Sequence, residues 1–123
     1  DSKALLETML PALEGKPLDI VINNAGYFWN QCETLENLSM EEDMKQIGIC
    51  AVGPLHVSGY LARAGLVKPG GRIVIISSQA GSVEWRLTQN PKGGDYGHHM
   101  SRAACNIAGV LLSQELKDKN IAV

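Results

Sequence analysis

Aromatic residues are scarce. Phenylalanine, tryptophan and tyrosine together make up 5% of the 123 residues, so any core must be aliphatic. A basic surplus is also missing: the formal net charge is −2 and no Lys/Arg stripe is visible. That argues against a nucleic-acid partner, which needs clustered cations to neutralise phosphates. The cysteines Cys32, Cys50 and Cys105 are far apart and odd in number. No Cys-x-x-Cys pair or His/Cys grouping suggests a metal, so reduced thiols in a soluble intracellular protein are expected. No apolar run approaches the roughly 20 residues that span a bilayer. Internal repeats, low-complexity tracts and an interdomain linker are likewise missing. The chain starts at Asp1 rather than Met, shows no signal or transit peptide, and stops abruptly at Val123. The expectation is a single domain over residues 1–123 that is itself a piece of a larger one.

What is present is an ordinary globular apolar fraction, 45%, arranged in alternating segments. Residues 2–14 carry Leu5, Leu6, Met9, Leu10 and Leu13 at helical spacing, with Pro11 expected to kink or end the helix. Leu18, Ile20, Val21 and Ile22 form a nearly continuous β-branched run, which predicts a strand buried on both faces. Residues 27–38 read as loop. Ser39 with Glu42 is a capping box, so a helix should start at Met40 and continue toward Val67. Glu41, Glu42 and Asp43 suit the positive end of that helix. Gly53-Pro54 should bend or break it. The stretch 68–71 reads as a turn, and Arg72–Ser77 repeats the buried-strand pattern. Residues 79–95 read as a long polar loop, with Gly93-Gly94 supplying flexibility. A helix is expected from Gly97 to Lys117, with Met100, Ala104, Ile107, Leu111 and Leu116 on its apolar face, and a third strand begins at Ile121.

Helix, strand, helix, strand, helix, strand is the pattern of an α/β fold, here part of a Rossmann-like, doubly wound parallel sheet. Right-handed crossovers place helices on both faces. Ligands of such sheets bind beyond the carboxyl ends of the strands. Those ends carry Asn23, Asn24, Ala25 and Gly26 after the first strand and Ser77 and Ser78 after the second.

These landmarks, with Val52-Gly53-Pro54, Gly71–Ser78, Gly81-Ser82 and Ser101–Asn106, occur in one order across nearly the whole chain. The chain resembles the short-chain dehydrogenase/reductase family, in particular the branch with C-signal-like and carbonyl-reductase-like members. The resemblance implies an NAD(P)-dependent oxidoreductase acting on a small carbonyl or alcohol, in a homo-oligomer or larger assembly. It also implies that the chain is the middle of such a protein. The Gly-rich turn that holds the cofactor pyrophosphate would lie outside it, so the piece alone should hold NAD(P) poorly.

The resemblance assigns roles position by position. Ser78 matches the serine that hydrogen-bonds the substrate carbonyl. Asn23, Asn24, Ala25 and Gly26 match the turn beside the cofactor. The family's tyrosine lies four residues before a lysine, on one helix face. Here His98 stands at the tyrosine and Arg102 at the lysine, while the family's proton-relay asparagine is replaced by Cys50. Histidine can exchange protons near neutral pH, but an adjacent Arg102 favours its neutral form. Arginine can still bind ribose hydroxyls but cannot release a proton. Cys50 lacks the paired donor and acceptor of an amide. Tyr96 lies six residues before Arg102, off the shared face, and should precede the helix proper. Alternatively, His98 and His99 are polar residues at a helix start, Ser78 is a strand-end hydroxyl, and Asn23 and Asn24 satisfy backbone groups. Two readings follow: an oxidoreductase with impaired catalysis, or a catalytically silent Rossmann subunit kept for binding or assembly.

Overall fold

The computed structural model describes residues 2–123; the side chains expected on the first helix at Leu5 and Leu6 lie outside what it describes. Helix α1 runs Ser2–Leu13 and contains Pro11 two residues before its end. Pro11 therefore neither breaks nor stops the helix. It sits in the last turn, and the reversal comes at Glu14 and Gly15, both at positive φ (49° and 76°). Strand β1 is Leu18–Asn23. Helix α2, Met40–Ile47, starts as the capping box requires, with Ser39 Oγ accepting from the Glu42 N–H.

Beyond α2 the helix does not break at Gly53-Pro54. It widens into a π-helical turn over Gly48–Val52, where the Gly53 N–H reaches back to the Gly48 carbonyl, five residues away. Pro54 lacks an N–H and cannot complete the α-helical ladder, so the irregularity lands just before it. Helix α3 then runs Gly53–Arg63; residues 64–66, expected to stay helical, turn at Gly65 (φ 70°), and strand begins at Val67.

Strand β2 is Val67–Ile75 and pairs in parallel with β1. Leu18 faces Val67, but Ile20 faces Arg72, so residues 68–71 bulge out of the ladder. The expected turn is thus folded into the strand. Gly70 has φ 82°, and a Cβ on Gly71 would lie 2.8 Å from the Lys68 carbonyl oxygen and 3.1 Å from that of Asp19. The third segment joins through one parallel bridge, Arg72 to Ala122, on the far side of β2 from β1, which gives the expected spatial order.

Residues 79–95 are not all loop. After a 3₁₀ turn at Gln79–Gly81, helix α4 forms over Val83–Gln89, capped by Ser82 Oγ on the Trp85 N–H. Helix α5 is Tyr96–Glu115, so Tyr96 is its first residue rather than lying ahead of it. Its buried positions are Gly97, Ser101, Cys105 and Leu112, whereas Met100, Ile107 and Leu111 are exposed. The helix packs through a stripe of small residues that lets its backbone come close. The Ser101 hydroxyl is satisfied within the helix by the His98 carbonyl, 2.7 Å away.

The core is Val21, Leu61, Ala62, Val67, Ile73, Leu112, Leu116 and Ile121. Burying each large aliphatic contributes about 1.5–3 kcal/mol. Strand β1 is not covered on both sides: Val21 is 8% exposed, but Ile20 is 51% and Ile22 63% exposed. Alternation imposed by the pleat sends only Val21 toward the packed helices. The parallel sheet flanked by helices places the carboxyl ends of β1 and β2 side by side, with Ile76 N donating to Asn23 O at 3.0 Å.

Candidate functional site

The site forms where β1 and β2 end and α5 begins. Asn23 turns inward: its Nδ2 donates to Ser58 Oγ on α3 at 2.9 Å and lies 3.4 Å from the Val74 carbonyl. It therefore ties the strand end to the helix behind it. Asn24, Ala25 and Gly26 are exposed on the following turn. Arg102 reaches that turn from α5. Its Nη1 donates to the Ile76 carbonyl at 3.2 Å, and a Cβ on Gly26 would lie 3.1 Å from its Nη2. One guanidinium thus lies between the end of β2 and the turn that follows β1. Its Nε is buried without a partner.

Ser78 caps the 3₁₀ turn, its Oγ accepting from the Ala80 N–H at 3.1 Å. A hydroxyl also carries one O–H donor, and among the described residues that donor meets no acceptor. Gly81 follows where α5 leaves no room: a Cβ there would lie 2.6 Å from Asn106 Nδ2 and 2.8 Å from the Arg102 carbonyl.

His98 sits one turn before Arg102 and faces the 27–38 loop. Its ring meets Phe28 edge-on, with centroids 4.8 Å apart, and His99 at 5.6 Å. Burial, then the Arg102 cation and His99, hold its pKa below the usual imidazole value. The ring is therefore kept neutral, and its Nδ1 is buried with no partner. No bond joins His98 to Ser78 among the described residues. Tyr96 is half-buried at the first helical position, and its side chain makes no hydrogen bond among the described residues. Cys50 is 1% exposed in the π-helical turn. Its thiol accepts from the Tyr27 N–H at 3.4 Å and donates to the Tyr27 carbonyl at 3.5 Å, so it fills both roles toward one backbone unit, more weakly than an amide would.

Polar side chains to which the sequence assigned no part in the site complete the surroundings. Glu33, in the loop, and Gln46, on α2, are almost fully buried. Asp43 is half-buried beside Glu33, and burial followed by that neighbour raises its pKa. It does more than complement a helix dipole. Glu33, Gln46, Asp95 and His98 line one small cavity with Phe28 and Trp29. Arg86 of α4 donates to His99 Nε2 at 3.0 Å, while His99 Nδ1 lies 2.7 Å from the Asp95 carbonyl. The carbonyl can only accept, so the His99 proton is on Nδ1. The signal for Asp43 and Gln46 was their i, i+3 spacing on one helix face. Glu33 had no local signal.

Among the described residues, no group of three or more His, Cys, Asp or Glu could hold a metal ion, and no helix is long and apolar enough to cross a membrane.

The sequence model of the family described as short chain dehydrogenase matches residues 1–123. The chain is 30% identical over 110 residues to 1-hydroxy-2-glutathionyl-2-methyl-3-butene dehydrogenase of Rhodococcus sp. (strain AD45), covering 89% of this chain and 45% of that protein. It is 33% identical over 104 residues to C-signal of Myxococcus xanthus, covering 82% of this chain and 58% of that one. The NADPH-bound carbonyl reductase from chicken fatty liver superposes with a TM-score of 0.81 at 26% identity, covering 98% of this chain and 51% of the reductase. The chain spans about half the length of the curated relatives it matches.

Proposed function

Because the chain belongs to the short-chain dehydrogenase family, we propose that it carries the central site of an NAD(P)-dependent carbonyl or alcohol oxidoreductase with weakened proton transfer. The observation that carries the reading is Arg102. Its guanidinium lies between the end of β2 and the turn that follows β1, bonded to the Ile76 carbonyl and close against Gly26. That crevice is where parallel sheets take their ligands. The residues suit a nicotinamide ribose: Arg102 has a buried, unpartnered Nε, and the turn over residues 24–26 is open to solvent. A bound nicotinamide supplies or accepts hydride at the substrate carbon.

The chain's own groups would handle the oxygen and its proton. Ser78 has a free O–H to donate to a carbonyl or alkoxide oxygen. His98 exchanges the proton. A neutral imidazole is a ready base and a poor acid, so the environment of His98 favours taking a proton from an alcohol over giving one to a carbonyl. Arg102 holds ribose hydroxyls, and its charge adds to the burial that keeps His98 neutral. It cannot pass a proton onward, as a lysine could. Weak turnover relative to the family pattern is the consequence.

The test uses the intact protein. NADPH binding is followed by fluorescence, and carbonyl reduction and alcohol oxidation are followed by absorbance. His98→Phe is expected to bind NADPH like the wild type and to lose about 10²–10⁴-fold in turnover. Binding without turnover in the wild type would favour the silent-subunit reading. Neither binding nor turnover would overturn both.

A further inference from the structure

The cluster beneath the start of α5 is not used by the chemistry above. Glu33 is 1% exposed, so its carboxyl oxygens need partners within the fold. Glu33 clasps the helix entry at three points. Its N–H donates to Asp95 Oδ1 at 3.1 Å, its carbonyl accepts from the Asp95 N–H at 3.0 Å, and its Oε2 accepts from the Gly97 N–H at 3.0 Å. The remaining oxygen, Oε1, is buried without a partner, and so is Oδ1 of Asp43. The two carboxyls meet at Gly97: its N–H donates to Glu33 Oε2, and a Cβ there would run into Asp43 Oδ1. Burial, then the neighbouring Glu33 carboxyl, raises the pKa of Asp43. Each carboxyl thus keeps one buried oxygen without a donor.

We propose that Glu33 and Asp43 share one proton, and that this acid pair is a positioning device that sets the entry of α5 and with it the His98 ring. The fit around the pair is close. A Cβ on Gly97 would collide with Asp43 Oδ1 and Gln46 Nε2, and a Cβ on Gly94 would lie 2.6 Å from the Glu33 carbonyl oxygen. Asp95 adopts φ 51° to make its bonds to Glu33. Asp95, from the helix entry, and His98, from the first turn of α5, line the small cavity beside Glu33 and are the ionisable groups there among the described residues. No salt bridge reaches either carboxyl among the described residues. Placement of the ring, rather than turnover, is what the pair controls, so the proposal stands or falls apart from the assigned chemistry.

The pH dependence has a definite sign. The pKa of Asp43 is raised in the folded state, so the pair's stabilisation is complete below the ordinary carboxyl value and is lost as pH rises through the raised one. The test is thermal unfolding of the intact protein from about pH 4 to about pH 9, with histidine-ring NMR titration alongside. Wild type should lose stability on the alkaline side, and His98 should show a second inflection where the pair ionises. Glu33→Gln keeps the acceptor for Gly97 and offers Asp43 a permanent N–H donor, so both the alkaline loss and the second inflection should vanish. Glu33→Ala should lower the melting temperature at every pH; if it does not fold, Glu33→Gln still decides. Parallel melting profiles for wild type and Glu33→Gln would overturn the shared proton. An unchanged His98 titration would overturn the positioning role.

Discussion

Replacing Gly97 by alanine sets helix propensity against packing at one atom. In an open helix the change would be favourable: Gly59 on α3 has nothing within 4 Å of its would-be Cβ, so Gly59→Ala should gain up to about 1 kcal/mol. At Gly97 the new methyl meets Asp43 Oδ1 and Gln46 Nε2 and would lie 3.0 Å from the Asp43 Cα. Two of these neighbours are buried polar atoms and the third is backbone, so little can move aside. Overpacking of this kind costs about 1–3 kcal/mol. Pushing the helix start away also stretches the Gly97 N–H bond to Glu33 Oε2. Stranding a buried carboxyl oxygen adds about 1–3 kcal/mol. Against a propensity gain below about 1 kcal/mol, the net expectation is a loss of about 3 kcal/mol. That corresponds to a fall of about 10 °C in melting temperature for a protein of this size class. Urea or thermal unfolding of the two alanine variants beside wild type measures it. A Gly97→Ala variant within about 0.5 kcal/mol of wild type would refute the close approach of α2 and α5 on which the site's geometry rests.

Two further substitutions probe how the site is held. Asn23→Ala removes the Nδ2 donor from the fully buried Ser58 hydroxyl, and should cost about 1–3 kcal/mol in urea unfolding. A double variant with Ser58→Ala should lose less than the two singles summed, and strict additivity would argue against the bond. Ser39→Ala removes the cap on the Glu42 N–H and should lower stability by about 1 kcal/mol while leaving His98 titration unchanged; a shifted His98 curve would show coupling from the α2 start that the contacts do not predict.

The features legible from the residues were those written in short-range physics. Ser39 and Glu42 lie within one turn, so the cap could be read directly, and the structure starts α2 at Met40 as expected. The aliphatic runs marked β1 and the Arg72–Ile75 part of β2, and their parallel order followed from the alternation of helices and strands. The turn after β1 and the i, i+4 pairing of His98 with Arg102 were visible for the same reason. Local patterns failed where an energetic preference was decided by a distant neighbour. The stretch 68–71 has the glycines of a turn, yet β-pairing on either side folds it into β2 as a bulge. Met100, Ile107 and Leu111 make the more hydrophobic stripe of α5, yet the helix buries Gly97, Ser101 and Cys105, because small residues permit closer approach and dispersion grows steeply with proximity.

By itself the sequence determined the class of fold, the order of its elements and the residue types at the strand ends, since each depends on contacts between near neighbours or on a fixed spacing. Only the tertiary structure decided what surrounds them. Glu33 lies 62 positions from Asp95 and 64 from Gly97, with no periodicity linking them, and its importance exists only once the loop is folded under α5. The neutral state of His98 was hinted at by Arg102 one turn away, but the larger cause is burial, and burial belongs to the assembled fold rather than to any residue in the chain.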